Sequence, residues 1–139
     1  MNAERLTDAL RAEHAAIYAY GVLGARLDTV AVPVAEAAEA AHRARRDALR
    51  LRLGTLHASA PPAEPAYALP APVPDRAAAL QLMITVEERC AANWRQVLPE
   101  VTGDDRALAV DALVDCAVRA TKARILGGVK PATVPFPGR

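Results

Sequence analysis

The sequence predicts an all-α four-helix bundle, and three observations carry that expectation. Apolar residues recur at three-and-four spacing through four long stretches, the signature of helices with one buried face. Thirty-three of the 139 residues are Ala and only 4% are aromatic, so the core has to be built by close approach of small side chains. A segment with six prolines in sixteen residues divides the four stretches into two pairs. The length fits a single domain over residues 1–139, large enough to bury a core without disulfide or metal staples.

The first helix is expected over about 3–28, where Leu6, Leu10, Ile17, Leu23 and Leu27 share a face. Pro33 is tolerated only in a first turn, so the second helix is placed at about 32–57. Its seam reads Ala35, Ala38 or Glu39, His42, Arg46, Leu49, Leu53 and Leu56. Residues 59–74 carry the six prolines and fit neither helix nor central strand. Asp75 is a good N-cap for a third helix over about 75–98, with Leu80, Ile84, Trp94 and Leu98 inward. Gly103 and Asp104 open a fourth at about 104–126, which Gly127 and Gly128 end; the tail 127–139 reads as irregular. In polyproline form the proline segment reaches ~50 Å, enough to run the length of a ~39 Å helix. Two antiparallel hairpins joined by one long crossover follow. Tyr67, Leu69 and Val73 have the character of packing residues, which favours that crossover over a plain up-down bundle with a floppy loop.

Composition excludes several classes of function. Seventeen Lys plus Arg against sixteen Asp plus Glu leave +1, no global field for nucleic acid or an anionic membrane. No apolar run approaches the ~20 residues of a membrane span, and the opening MNAERLTDAL is charged at once, so a cytoplasmic location is expected. Arg outnumbers Lys fifteen to two and Ser occurs once, a bias expected of a G+C-rich genome. Cys90 and Cys116 lack zinc-site or disulfide-framework spacing and are expected to be reduced thiols at similar heights on the third and fourth helices. There is no P-loop, GxGxxG, GxSxG or HExxH.

Polarity interrupts the apolar seams in a pattern. Glu13 falls between Leu10 and Ile17, Glu39 and His42 form an E-x-x-H step, and Glu87 falls between Ile84 and Trp94. Several carboxylates directed into one core need a shared partner, either a metal or an arginine. Glu88 points about 100° from Glu87 and is expected in solvent, as is Glu36 in the first turn of its helix. His14 lies off the seam and is expected to be exposed or at an interface; His57, at a helix end, is assigned no function. Tyr18, Tyr20 and Trp94 are read as large rings filling the gaps that alanines leave.

A Glu on the first helix, Glu-x-x-His on the second, a long crossover and a Glu on the third resemble the di-iron and di-manganese carboxylate bundles of the ferritin-like superfamily. The stretches EHAAIYAYGVLGARL, AHRARRDAL and AYALP and the closing PFPG resemble, more narrowly, a short uncharacterised ferritin-like domain family of G+C-rich bacteria. The superfamily resemblance implies metal-ligand positions at Glu13, Glu39, His42 and Glu87, with Asp111 or Asp115 completing the set and iron or manganese as the metal. It also implies a second E-x-x-H on the fourth helix, where the sequence has Asp111-Ala-Leu-Val114 and Asp115-Cys-Ala-Val118.

Counting from a turn centred on residues 30 and 31 sets Glu13 ~26 Å down its helix, against ~13 and ~17 Å for Glu39 and His42. Ligands of one metal lie within ~2.2 Å of it, so this offset favours a metal-free layer. Arg46 stands nearer the level of Glu13, and Arg119 nearer that of Glu87. The favoured reading is a ferritin-like bundle whose metal layer is replaced by a buried network of Glu13, His42, Arg46, Glu87 and Arg119, with no cofactor. It would act as a binding or structural bundle, not an enzyme, and as a homodimer through its alanine-rich faces. Its small-molecule ligand stays unspecified. The alternatives are a metal-dependent oxidase using Glu13, Glu39, His42, Glu87 and Asp115, and a binder of anions or nucleic acid through Arg43, Arg46 and Arg50, the less favoured partner class.

Overall fold

A computed structural model describes residues 2–139. Four long helices, α1 (Asn2–Leu23), α2 (Val32–Thr55), α3 (Arg76–Val97) and α4 (Gly103–Gly127), account for the architecture, with short 3₁₀ turns at Gly24–Arg26 and Leu98–Glu100 and no strand among the described residues. The all-α four-helix bundle expected from the sequence is therefore what forms.

Local chemistry sets the ends of the helices. Pro33 sits in the first turn of α2, where its missing N–H costs nothing. Asp28 accepts the Ala31 N–H just ahead of that turn, at 3.0 Å. Asp75 caps α3 by accepting the Ala78 N–H at 2.8 Å. At the end of α4, left-handed Gly128 gives its N–H to Ile125 and Val129 gives its N–H to Arg124, a Schellman closure that satisfies two orphan carbonyls. One boundary differs from expectation. The first helix stops at Leu23, not near residue 28, because the chain tightens into the 3₁₀ turn at Gly24 and Leu27 is extended.

Side-chain pairings fix the topology. Trp94 reaches Glu13 and Glu87 reaches Tyr20, so α1 and α3 run antiparallel. Arg45 meets Asp115 and Arg52 meets Asp105, so α2 and α4 do as well. Asn2, Arg52 and Asp105 gather at one end of the bundle, and Asp28 and Arg76 at the other. Since α2 ends where Arg52 lies and α3 begins with Arg76, the intervening chain spans the bundle from end to end. It is packed along the way. The Tyr67 ring stands 5.7 Å from that of Tyr18, Leu69 and Val73 lie against the core, and His14 donates from Nε2 to the Pro61 carbonyl at 3.0 Å. His14, off the seam as expected, is thus buried and holds the crossover, neither exposed nor free for an outside partner. Its off-seam position on α1 faces the connection instead of solvent.

Leu6, Leu10, Leu23, Leu49, Leu53, Leu80, Met83 and Trp94 are the largest buried apolar side chains. Alanines such as Ala9, Ala16, Ala38, Ala79, Ala109, Ala112 and Ala123 fill the interfaces between them and let the backbones approach. No helix is long and apolar enough among the described residues to cross a membrane.

Candidate functional site: a buried charge layer

Three helices bring their polar residues to one depth. Glu13 stands ten residues before the end of α1, His42 ten after the start of α2, and Glu87 eleven after the start of α3, all counted from the same end of the bundle. Each lies ~15 Å in at 1.5 Å per residue. The expected offset between Glu13 and His42 disappears because residues 24–31 form the turn and add nothing to the helix axes.

His42 is the centre of the layer. Its Nδ1 lies 2.5 Å from Glu13 Oε2 and its Nε2 lies 2.5 Å from Glu87 Oε1, with all three side chains fully buried. An imidazole gripped at both nitrogens by carboxylates is stable as the doubly protonated cation, because a neutral ring would set a lone pair against one of them. Burial alone would lower the His42 pKa, but the two carboxylate hydrogen bonds and charges outweigh it and push it up to about 10. Burial likewise opposes ionisation of Glu13. The His42 bond, the His42 and Arg45 charges and the Trp94 bond reverse that and hold its carboxyl below the ordinary range.

Arg45 supplies the second cation. Its Nε donates to Glu13 Oε1 at 3.1 Å and its Nη1 to Asp115 Oδ2 at 2.8 Å, and Arg119 Nε donates to the same Asp115 oxygen at 2.8 Å. Burial would raise the Asp115 carboxyl, but the two guanidiniums hold it below the ordinary range. Arg45 Nη2 also lies 3.2 Å from His42 Nδ1. With that nitrogen protonated, the two are cations sharing Glu13 and not a donor–acceptor pair. Trp94 Nε1 donates to Glu13 Oε1 and the Tyr20 hydroxyl to Glu87 Oε1, each at 3.0 Å. Burial and the Glu87 charge push the Tyr20 phenol far above its ordinary value, so it serves as a neutral donor.

The structure rearranges the expected set in several places. Arg45, not Arg46, enters the layer, because steps of three and of four from His42 fall to opposite sides of it, by about 60° and 40°, and Glu13 and Asp115 lie on the Arg45 side. Arg46 bonds its neighbour Asp47 at 2.9 Å. Arg119 serves Asp115 and not Glu87. Glu39 is half-buried and paired with Arg43 at 2.8 Å, one turn from the layer. Asp111 is exposed, as are Val114 and Val118 where a second E-x-x-H histidine would stand, so that half of the metal pattern faces outward. Of the arginines proposed for anions, Arg43 and Arg46 are paired with carboxylates and Arg50 is exposed. Glu88 is exposed as expected, but it accepts from Arg124. Tyr20 and Trp94 were readable only as fillers; the polar tip that each ring carries was the available signal.

Cys90 and Cys116 are free and buried. The Cys116 bond, burial and the nearby carboxylates push the Cys90 thiol well above its ordinary value, which disfavours the thiolate. Glu13, His42 and Cys90 each offer a donor atom within 4.8 Å of the others. Metal ligation needs a bare imidazole lone pair and thiolate, whereas both His42 nitrogens face carboxylates and the Arg45 guanidinium already lies against Glu13.

No match was found among curated proteins. The chain is similar in structure to a conserved hypothetical protein, rv2844, from Mycobacterium tuberculosis, known from a crystal structure, with a TM-score of 0.86 and 36% sequence identity over 88% of this chain and 94% of that one. Residues 5–139 match the family described as a domain of unknown function, DUF4439. With nearly the whole chain matched, helices and crossover together, this protein belongs to the DUF4439 family.

Proposed function

We propose that this protein is a non-catalytic, cytoplasmic binding bundle of ferritin-like descent, in which a charge network replaces the metal layer. The observation that supports it most is the double engagement of His42. Both ring nitrogens are bonded to the carboxylates that a metal would otherwise require, and Arg45 supplies the further positive charge. Cations and hydrogen-bond donors satisfy Glu13 from three sides. A buried ion cluster of this kind fixes the register of its helices, because slipping one helix by a turn would strand a charge in the core. The alanine-rich faces support assembly as a homodimer.

Elemental analysis tests this reading, on protein purified without chelator or affinity-tag nickel and incubated aerobically with ferrous iron or manganese. Near-zero metal per chain is expected. About two equivalents, lost in His42→Ala, would replace the charge-network reading with the metal-dependent oxidase that the superfamily resemblance implies.

A further inference from the structure

A second feature adjoins the layer on its α4 side. Between α3, α4 and the C-terminal tail lies a cavity of about 520 Å³, walled chiefly by Ala91, Leu113, Ala117, Val118 and Val134, with Glu87 among its lining. That volume falls in the ~300–1,000 Å³ range of small-molecule sites. The tail forms one wall and is held in place. Arg95 donates to the Pro137 carbonyl at 3.4 Å and Arg124 to the Ala132 carbonyl at 3.3 Å. Gly138, at φ +83°, sits so close to α3 that a Cβ there would meet the Ala91 carbonyl oxygen at 2.7 Å.

Glu87 links the cavity to the buried layer. Its Oε1 takes both His42 and Tyr20, whereas its Oε2 is buried with no hydrogen-bond partner. An unpaired buried carboxylate oxygen carries a desolvation cost that a donor from a ligand would relieve. The donor's charge is constrained as well. Glu13, Glu87 and Asp115 are already balanced by His42, Arg45 and Arg119, so a further cation would leave the layer with uncompensated positive charge.

We propose that this cavity binds a small neutral molecule with a hydrocarbon body and one hydroxyl head, the hydroxyl donating to Glu87 Oε2. The inference deepens the binding-bundle reading and rests on its metal-free layer. Protein whose metal content has first been measured is therefore used, so that a failed titration of metal-free protein counts against the cavity alone.

The test titrates 1-decanol, decyl methyl ether and decylammonium into the full chain and follows the methyl NMR signals of Val114, Val118 and Val134. Saturable one-to-one shifts with decanol are expected, with binding at least about tenfold weaker for the ether, which lacks a donor, and for the ammonium, which adds a charge. Ala117→Phe fills the cavity without touching the layer. With its fold verified by an unchanged helical CD spectrum, it should lose decanol binding by at least about tenfold. Equal binding of ether and alcohol, tighter binding of the ammonium, or unchanged binding in Ala117→Phe would each overturn the proposal. So would the absence of saturable shifts, or methyl shifts that follow protein concentration without ligand, the sign of a second copy covering the cavity.

Discussion

The inner and outer faces of α2 carry the same residue types in two different electrostatic situations. Arg45 and Arg46 are neighbours in sequence. Arg45 is buried, shared between Glu13 and Asp115, and packed beside a histidinium. Arg46 lies nearer solvent and bonds the carboxylate of Asp47, the next residue. On the outer face water can replace any partner that leaves, so a pair there contributes little. On the inner face no solvent can do so, and removing one member leaves an uncompensated charge in the core. Solvent access, more than residue identity, decides what each arginine is worth.

The sharpest way to break that comparison is to remove the inner arginine. Arg45→Ala should destabilise the protein by about 3–5 kcal/mol in chemical denaturation, because Glu13 stays buried with one cation fewer. A loss below ~1 kcal/mol would mean that the layer relaxes or admits water, and the contrast between the two faces would collapse.

The pH dependence of stability sharpens the same contrast with a smaller effect. His42 has its folded pKa raised to about 10 against an ordinary 6.5, so its contribution is complete below about 6.5 and is lost as pH rises through about 10. Glu13 has its folded pKa lowered from 4.5, so its contribution is present above about 4.5 and is lost as pH falls through the lowered value. Together the two groups place maximum stability between about pH 4.5 and 6.5, with a decline on the order of a few kcal/mol toward pH 10. A two-dimensional NMR titration of His42 should find the imidazolium intact at pH 8; a midpoint near 6.5 would contradict the double carboxylate grip.

The smallest effect belongs to the outer face. Arg46→Ala should change stability by no more than about 0.5 kcal/mol, and moderate salt should erase even that. A cost comparable with that of Arg45→Ala would place Arg46 in the layer after all.

Much of this was legible along the chain. Three-and-four spacing located four helices, Pro33 and Asp75 marked two starts, and Tyr67, Leu69 and Val73 showed that the proline segment packs. Glu13, His42 and Glu87 stood out because charge on an apolar seam needs a partner. The partners were harder to name. Steps of three and of four along a helix fall to opposite sides of the starting residue, about 100° apart, and periodicity alone does not say which of Arg45 and Arg46 falls inside. The depth of Glu13 relative to His42 depended on where the turn's midpoint lies, and an assumed helix to residue 28 moved it by about two turns.

By itself, then, the sequence determined the class of the fold, the order of its elements and the presence of buried charge, since these follow from local periodicity, proline geometry and the cost of desolvation. Tertiary structure alone decided that Arg45 and not Arg46 joins Glu13, that Tyr20 and Trp94 become donors, that His14 holds the crossover and that the tail walls one side of a cavity lined in part by Glu87. Those outcomes turn on where one helix axis meets another, to within a single turn, and no spacing along the chain encodes that height.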